Sequence, residues 1–352
     1  MGYRNHILFV VCLFFAMTST APAQQPTGVN VSGAATAMSN IPVHGTGNGA
    51  RVTLTVVDDK MGRLAHLAMV KLYEENIKSA TWQPTSKNSE TTFEDVSLGK
   101  YDLDVTAIGY LPARKEVEIS NARQPVHLQV VLFRDPDAVE LNAADPSMPA
   151  KAIKEADHGV TDMESGKYKD AEKHLESACK QSPSNAHANF LLGYLYFQQN
   201  DFDKAQTYLT QATTLDPHDI QAINLSGRVH LARRDYPGAK AILEQAIATD
   251  PENATAHGLL ADAYLNLSDY KDALAQADFS IEKGKSNISS AHIVRGEALA
   301  NLGRDDEAIQ TLKTYLQTAP DSASGPKVRQ FIAAIEARHP AAPSATAQPA
   351  KQ

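Results

Sequence analysis

Ala186–Asp219 reads AHANFLLGYLYFQQNDFDKAQTYLTQATTLDPHD, and the stretch after it, Ile220–Asn253, reads IQAINLSGRVHLARRDYPGAKAILEQAIATDPEN. Both are 34 residues long and keep one phase: Gly193 falls on Gly227, Ala205 on Ala239 and Pro217 on Pro251. The phase runs upstream through Gly159, Ala171 and Pro183, and downstream through Ala273. A fixed period of that length makes this half of the chain an array of stacked units rather than a globule.

The phase divides the array into Ala152–Asn185, Ala186–Asp219, Ile220–Asn253, Ala254–Ile288 and Ser289–Ser322, the fourth unit one residue longer than the others. Each unit is expected to be two antiparallel helices joined by a short turn. A small residue recurs at the eighth position (Gly159, Gly193, Gly227, Ala261, Gly296), where it lets the second helix come close. Ala171, Ala205, Ala239, Ala273 and Ala308 do the same from the second helix, while larger side chains such as Leu192, Tyr196 and Leu209 fill the space between units. Pro183, Pro217, Pro251 and Pro320 close units, because proline cannot continue a helix. Asn200-Asp201-Phe202, Arg234-Asp235-Tyr236 and Ser268-Asp269-Tyr270 mark the turns inside units. Gly284-Lys285 stands where proline is expected, which predicts altered stacking before Ser289. Val328, Phe331, Ile332 and Ile335 after Pro326 predict a final helix covering the last apolar face, as open arrays require.

These positions resemble the tetratricopeptide repeat family. The resemblance implies a curved solenoid whose concave surface is lined by the second, fifth, ninth and twelfth positions of each first helix. Here the first unit brings Ile153, Ala156, Val160 and Met163, and the second His187, Phe190, Tyr194 and Phe197. The third brings Gln221, Asn224, Arg228 and Leu231, and the last two place Asp262 and Glu297 at the ninth position. Members of the family that hold a C-terminal carboxylate use Lys and Asn at the fifth and ninth positions. Ala156/Val160, Phe190/Tyr194 and Asn224/Arg228 stand there instead, so that clamp is missing. A peptide with apolar or aromatic anchors fits this lining better, with His187, Phe190, Tyr194, Asn224 and Arg228 as the expected contact centre. The competing account has Phe190 and Phe197 packing between helices with no ligand, since aromatic stripes at helical spacing are usually core.

Upstream of the array the period changes from helix-like to two. Val52, Leu54 and Val56 alternate with threonines, and Val70–Tyr73 reads as a second strand. Tyr101, Leu103 and Val105, then Val117 and Ile119, then Val126, Leu128, Val130 and Leu132 continue the pattern between turn residues. Short strands at such spacing predict a small antiparallel sandwich. Within it, Phe93, the Gly99-Lys100-Tyr101 turn into a strand and the closing Gly109-Tyr110 resemble a carboxypeptidase regulatory-like domain, a transthyretin-like sandwich. That resemblance covers residues 50–134 and implies no catalysis, because the module is non-catalytic in its family. Leu67–Val70 departs from it by lacking the usual Gly-Ala before the second strand.

The ends read as transport and tether. Arg4 and His6 precede the apolar run Ile7–Met17, and Ala21-Pro22-Ala23 has the A-x-A form of an export-signal cleavage site. Eleven apolar residues are too few to span a bilayer, which needs about 20. No transmembrane segment is expected after cleavage, and an exported protein, periplasmic or secreted from a bacterial envelope, is the implied destination. The fold class is thus multidomain: a small all-β antiparallel sandwich followed by an all-α solenoid. Residues 1–23 form the signal peptide, 24–49 a flexible linker, 50–134 the sandwich and 135–150 a linker. Residues 151–338 form the five-repeat array with its cap, and 339–352 a Pro/Ala-rich disordered tail.

Charge and motifs narrow the function. The 352 residues carry 33 basic and 41 acidic side chains, a formal net charge of −8, with no basic run, which disfavours a nucleic-acid partner. H-E-x-x-H, G-x-S-x-G and C-x-x-C are all absent, and Gly284-Lys285-Ser286 lacks the first glycine of a phosphate loop, where Phe279 stands. Cys179 is the single cysteine left after cleavage and reads as a small buried side chain. His257 and His292 share one repeat position, which is repeat geometry and not metal binding. No cofactor or catalysis is expected. The leading reading is an exported interaction scaffold holding a protein or peptide in the groove. A second has the sandwich bind an envelope glycan, with Trp82 in the loop-like Thr81–Pro84 stacking on a sugar. A third is a non-catalytic subunit of an enzyme complex.

Overall fold

The computed structural model describes residues 49–338, apart from 65–66, 75–79, 87, 123, 136–137, 140, 142–144 and 285–289. The segments expected as signal peptide, first linker up to residue 48 and tail, and the junction from Lys285 to Ser289, lie outside the described residues.

Seven strands open the chain: β1 (Ala50–Asp58), β2 (Met69–Glu74), β3 (Ala80–Pro84), β4 (Glu90–Val96), β5 (Gly99–Thr106), β6 (Ala113–Ile119) and β7 (Val126–Leu132). They form a three-stranded sheet, β4-β1-β7, and a four-stranded sheet, β3-β2-β5-β6. Four pairings are antiparallel, as the alternation implies, while β1 and β7 run parallel, Val52 opposite Val126 through Asp58 opposite Leu132. The period-two pattern gives the reason for the layers. Val52, Leu54 and Val56 from one sheet and Leu72, Leu103 and Val105 from the other are all buried in one core between the sheets. Tyr101 is buried too, its hydroxyl donating to the Ser97 carbonyl at 3.0 Å. Gly109 turns the chain at φ +81, a conformation L side chains resist, and Tyr110 then bridges to Arg134. Thr81–Pro84 is not a loop: it forms most of β3, with Trp82 opposite Lys71.

Ten helices follow in five antiparallel pairs: α1 (Ala150–Glu164) with α2 (Tyr168–Gln181), α3 (Ala186–Gln198) with α4 (Phe202–Leu215), and α5 (Ile220–Ala232) with α6 (Tyr236–Thr249). Next come α7 (Ala254–Asn266) with α8 (Tyr270–Gly284), and α9 (Ser290–Asn301) with α10 (Asp305–Thr318). An eleventh, α11 (Gly325–Glu336), buries Val328, Ile332 and Ile335 against Leu299, Leu312 and Tyr315. Starts are set by side-chain caps in phase: Asn185, Asp219 and Asn253 accept from the backbone N–H groups of Ala188, Ala222 and Ala256. Asp201 and Asp235 do the same at the second helices. The turn within each pair passes through a left-handed residue at one repeat position: Gly166, Asn200, Arg234, Ser268 and Gly303.

The eighth-position glycines have a specific opponent. A Cβ at Gly159, Gly193, Gly227 or Gly296 would lie 2.6 Å from a side-chain atom of Leu175, Leu209, Leu243 or Leu312 respectively. The fourth unit exchanges both partners, with Ala261 and Ala277 in one cluster at the corresponding positions. The smaller partner Ala277 leaves room for the Ala261 methyl, which a leucine there would not.

The sandwich touches both ends of the array. Met69 Sδ lies 3.4 Å from where a Gly166 Cβ would be, at the first turn. At the far end, Ala113 bridges antiparallel to Ser322, just before α11. There the Arg114 N–H donates to the Asp321 carbonyl at 2.9 Å, and the Ala323 N–H to the Pro112 carbonyl at 3.1 Å.

Candidate functional site

The five residues expected at the contact centre divide into a buried group and a polar group. His187, Phe190 and Tyr194 lie on α3; the His187 and Phe190 rings stack with centroids 5.7 Å apart. Phe190 is 1% exposed and Tyr194 5%, so neither presents a free face. Burial pushes the Tyr194 hydroxyl up to about 12, against the opposing pull of Arg228. Asn224 and Arg228, one helix further on α5, are only partly buried. The Arg228 guanidinium stands 5.3 Å from the Phe197 ring centroid, a cation–π arrangement. Asn224 donates its amide to Asn253 Oδ1 at 3.3 Å, tying the groove face of α5 to the cap of α7. Tyr194, Phe197 and Arg228 are therefore brought together, Asn224 is held by the next unit, and Phe190 belongs to the core between helices.

The chain's own linker packs against the helices of the first repeats. Val139 and Leu141, with Ile108 from the β5–β6 connection, pack against the cluster that holds Phe190 and Tyr194. Met148 is buried in the same cluster. Asn185 donates to Asp145 Oδ2 at 2.7 Å and to Ser147 Oγ at 2.9 Å, pinning the linker at the start of α3. Spacing arguments missed these contacts. The local turn was legible in Asp145-Pro146-Ser147, where the Ser147 N–H returns to Asp145 Oδ1 at 2.8 Å. Its long-range anchor has no sequence signal.

At the acidic end of the lining Glu297 is buried and Asp262 half-buried. Glu297 is 5% exposed. Burial, with Asp262 adding like-charge repulsion, raises it to about 8. Asp262 is raised to about 7 by burial, the Asn266 amide acting in the opposite direction. Other conspicuous residues have structural partners. His257 Nε2 lies 3.1 Å from the Pro251 carbonyl, fixing the entry to α7. The Cys179 thiol is partly buried beside Asn189 Oδ1 at 3.6 Å, and burial raises it. No group of three or more His, Cys, Asp or Glu among the described residues could hold a metal ion.

A family model of the tetratricopeptide repeat matches residues 162–229, and a second of the same description matches 224–283 and 267–323. No curated protein matches the chain. Among solved structures, it is similar to MamA 41-end from Desulfovibrio magneticus RS-1, at 18% identity and a TM-score of 0.44 over 49% of this chain and 96% of that one. It is similar to TTC0263, a thermophilic repeat protein of Thermus thermophilus, at 17% identity and a TM-score of 0.42 over 52% and 98%. It is also similar to YrrB, described as having an unusual peptide-binding site, at 22% identity and a TM-score of 0.39 over 47% and 82%.

Proposed function

We propose, for a chain whose helices form an array of tetratricopeptide repeats, that it is a non-enzymatic scaffold holding a peptide or protein partner on the concave face. The observation that carries this reading is the pairing of Arg228 with Phe197 beside Tyr194, with Asn224 on the same helix face. A partly exposed cation over an aromatic ring offers hydrogen-bond donors and an apolar flank together, which suits an aromatic or acidic side chain of a peptide. We read the strands of residues 50–134 as a carboxypeptidase regulatory-like module, and residues 1–23 as an export signal that places the protein in a bacterial envelope.

The test is crosslinked capture from native envelopes with the full-length chain and with Asn224→Ala/Arg228→Ala. A specific partner is expected to be captured by the first and lost at least tenfold with the second. Equal capture by both would move binding off this face. A mature N-terminus at Gln24, read by mass spectrometry, checks export separately.

A further inference from the structure

We propose that α11 is a proton-gated cap on the last repeat: it stays docked while the Glu297 carboxyl beneath it carries a proton, and it is released when that carboxyl ionises.

Ile293 and Glu297 stand one turn apart on α9 and line the same small cavity. Leu312 of α10 closes one side of it, and Lys327, Val328 and Phe331 of α11 close another. Glu297 is thus a buried carboxyl inside a contact between helices. The cavity measures about 10 Å³, room for about one water. An ionised carboxylate needs several hydrogen-bond donors, and the aliphatic side chains of Ile293, Leu312 and Val328 have none to give. The element that can yield is α11. The repeat helices pack in antiparallel pairs, whereas α11 follows the last pair alone. Its N-cap residue, Ser324, makes no side-chain cap hydrogen bond, unlike the Asn and Asp caps inside the array. A weakly tied terminal helix can open locally while the rest of the array stays folded.

The charges around Glu297 set the direction of the response. Asp262, from α7, adds like charge. On α9, Arg295 is committed to Asp278 of α8 and to Thr311 of α10. His292 lies five residues before Glu297, on another side of the helix. On α10, Arg304 pairs with Glu307, Lys313 with Glu336, and Asp305 with Arg338. Arg329 lies against the start of its own helix at Gly325. Lys327 borders the cavity but is exposed, so its stem can pack there while its ammonium stays in water. Burial and Asp262 together raise Glu297 to about 8, against an ordinary 4.5. The docked state therefore binds the proton more tightly than the released one. Docking is strongest below pH 4.5 and weakens as pH rises through 8. Release lets water reach Glu297 and uncovers Ile293 and Leu312, leaving the earlier repeats in place.

The test is amide exchange of the full-length chain at about pH 5 and about pH 8.5, each rate divided by the intrinsic rate at that pH so that only opening is compared. Protection of residues 329–336 is expected to fall at least tenfold between the two, and that of α5–α7 less than twofold. In Glu297→Gln, which keeps the shape of the side chain and cannot ionise, residues 329–336 are expected to keep their protection at both pH values. Equal protection of α11 at both pH values in the unmodified protein overturns the proposal. A rise overturns it too, since Lys327 would then have swung in to pair with the ionised carboxylate. An equal fall in Glu297→Gln, or a fall spread through the whole array, has the same force. If Glu297→Gln does not fold, Asp262→Asn serves instead. Removing the like charge is expected to make the fall in α11 smaller, and an undiminished fall overturns the gate. None of these readouts needs a partner, so their failure leaves the scaffold reading untouched.

Discussion

A methyl group added at Gly193 would stand 2.6 Å from Leu209 Cγ and 3.4 Å from the Leu209 backbone nitrogen, inside a fully buried contact. Overpacking of that kind costs about 1–3 kcal/mol, while the helix propensity of alanine over glycine returns about 1. Gly193→Ala is therefore expected to destabilise the protein, as read from the urea midpoint. Leu209→Ala alone leaves a cavity and costs about 2–5 kcal/mol. The double substitution recreates the Ala261/Ala277 pair of the fourth repeat and is expected to cost less than the two single changes added together. Strict additivity would mean that the two side chains are independent. A second residue-scale prediction concerns Arg234, which sits at φ 61 where Gly166 and Gly303 occupy the same repeat position. The left-handed region costs a non-glycine residue roughly 1–2 kcal/mol, partly offset by the extra freedom of glycine in the unfolded chain. Arg234→Gly is expected to raise stability by about 0.5–1 kcal/mol in the same measurement. The glycine positions were legible from the period, but their leucine opponents were not. Sixteen residues separate Gly193 from Leu209, and only the helix crossing shows that they meet.

At the scale of elements, legibility followed the regularity of the local pattern. Strands with unbroken alternation, such as Leu103–Val105 or Val126–Leu132, could be read directly. β4 could not, because its phase breaks: Val96 pairs with Ala50 but Phe93 with Val52, so an extra residue bulges near Asp95, which has φ 57. β3 ends in Pro84, which argues against a central strand but suits the sheet edge it occupies. In the helices the caps and apolar spacing were legible, whereas the burial of one charged position was not. Glu297 looks like a groove-facing acid in sequence, yet α11 packs on α9 and α10 so that Glu297 and Lys327 border one small cavity there. Its folded-state value, about 8, lies above the ordinary 4.5. The folded protein therefore binds this proton more tightly than the unfolded chain. Stability linked to it is full below pH 4.5 and is lost as pH rises through 8. Asp262, raised to about 7, acts in the same direction. Glu297→Gln is expected to match the unmodified protein near pH 4.5 and to exceed it by on the order of 2–4 kcal/mol above pH 8. Parallel stability–pH curves for the two proteins would rule this out.

For the whole molecule, the period gave an array but could not give its closure. The contacts that join the last loop to β6 are made largely by backbone groups of Pro112, Arg114, Asp321 and Ala323, which leave no side-chain signature. Of the predicted contact centre, Phe190 and Tyr194 are buried in the cluster that the helices share, while Asn224 and Arg228 stay partly exposed. Closure changes how a lesion should spread. In an open solenoid each unit touches only its neighbours, so damage to the terminal helix frays the last repeat and stops there. Ile332, 6% exposed on α11, provides the lesion, since truncating a buried isoleucine costs about 2–5 kcal/mol. Here the loosened α11 also releases Asp321–Ala323 and with it the edge of β6. Ile332→Ala is therefore expected to speed amide exchange in α9–α11 and, separately, at the Arg114 N–H of β6, while α5–α7 keep their protection. Exchange that rises only in the last repeat would show that α11 and β6 are not coupled.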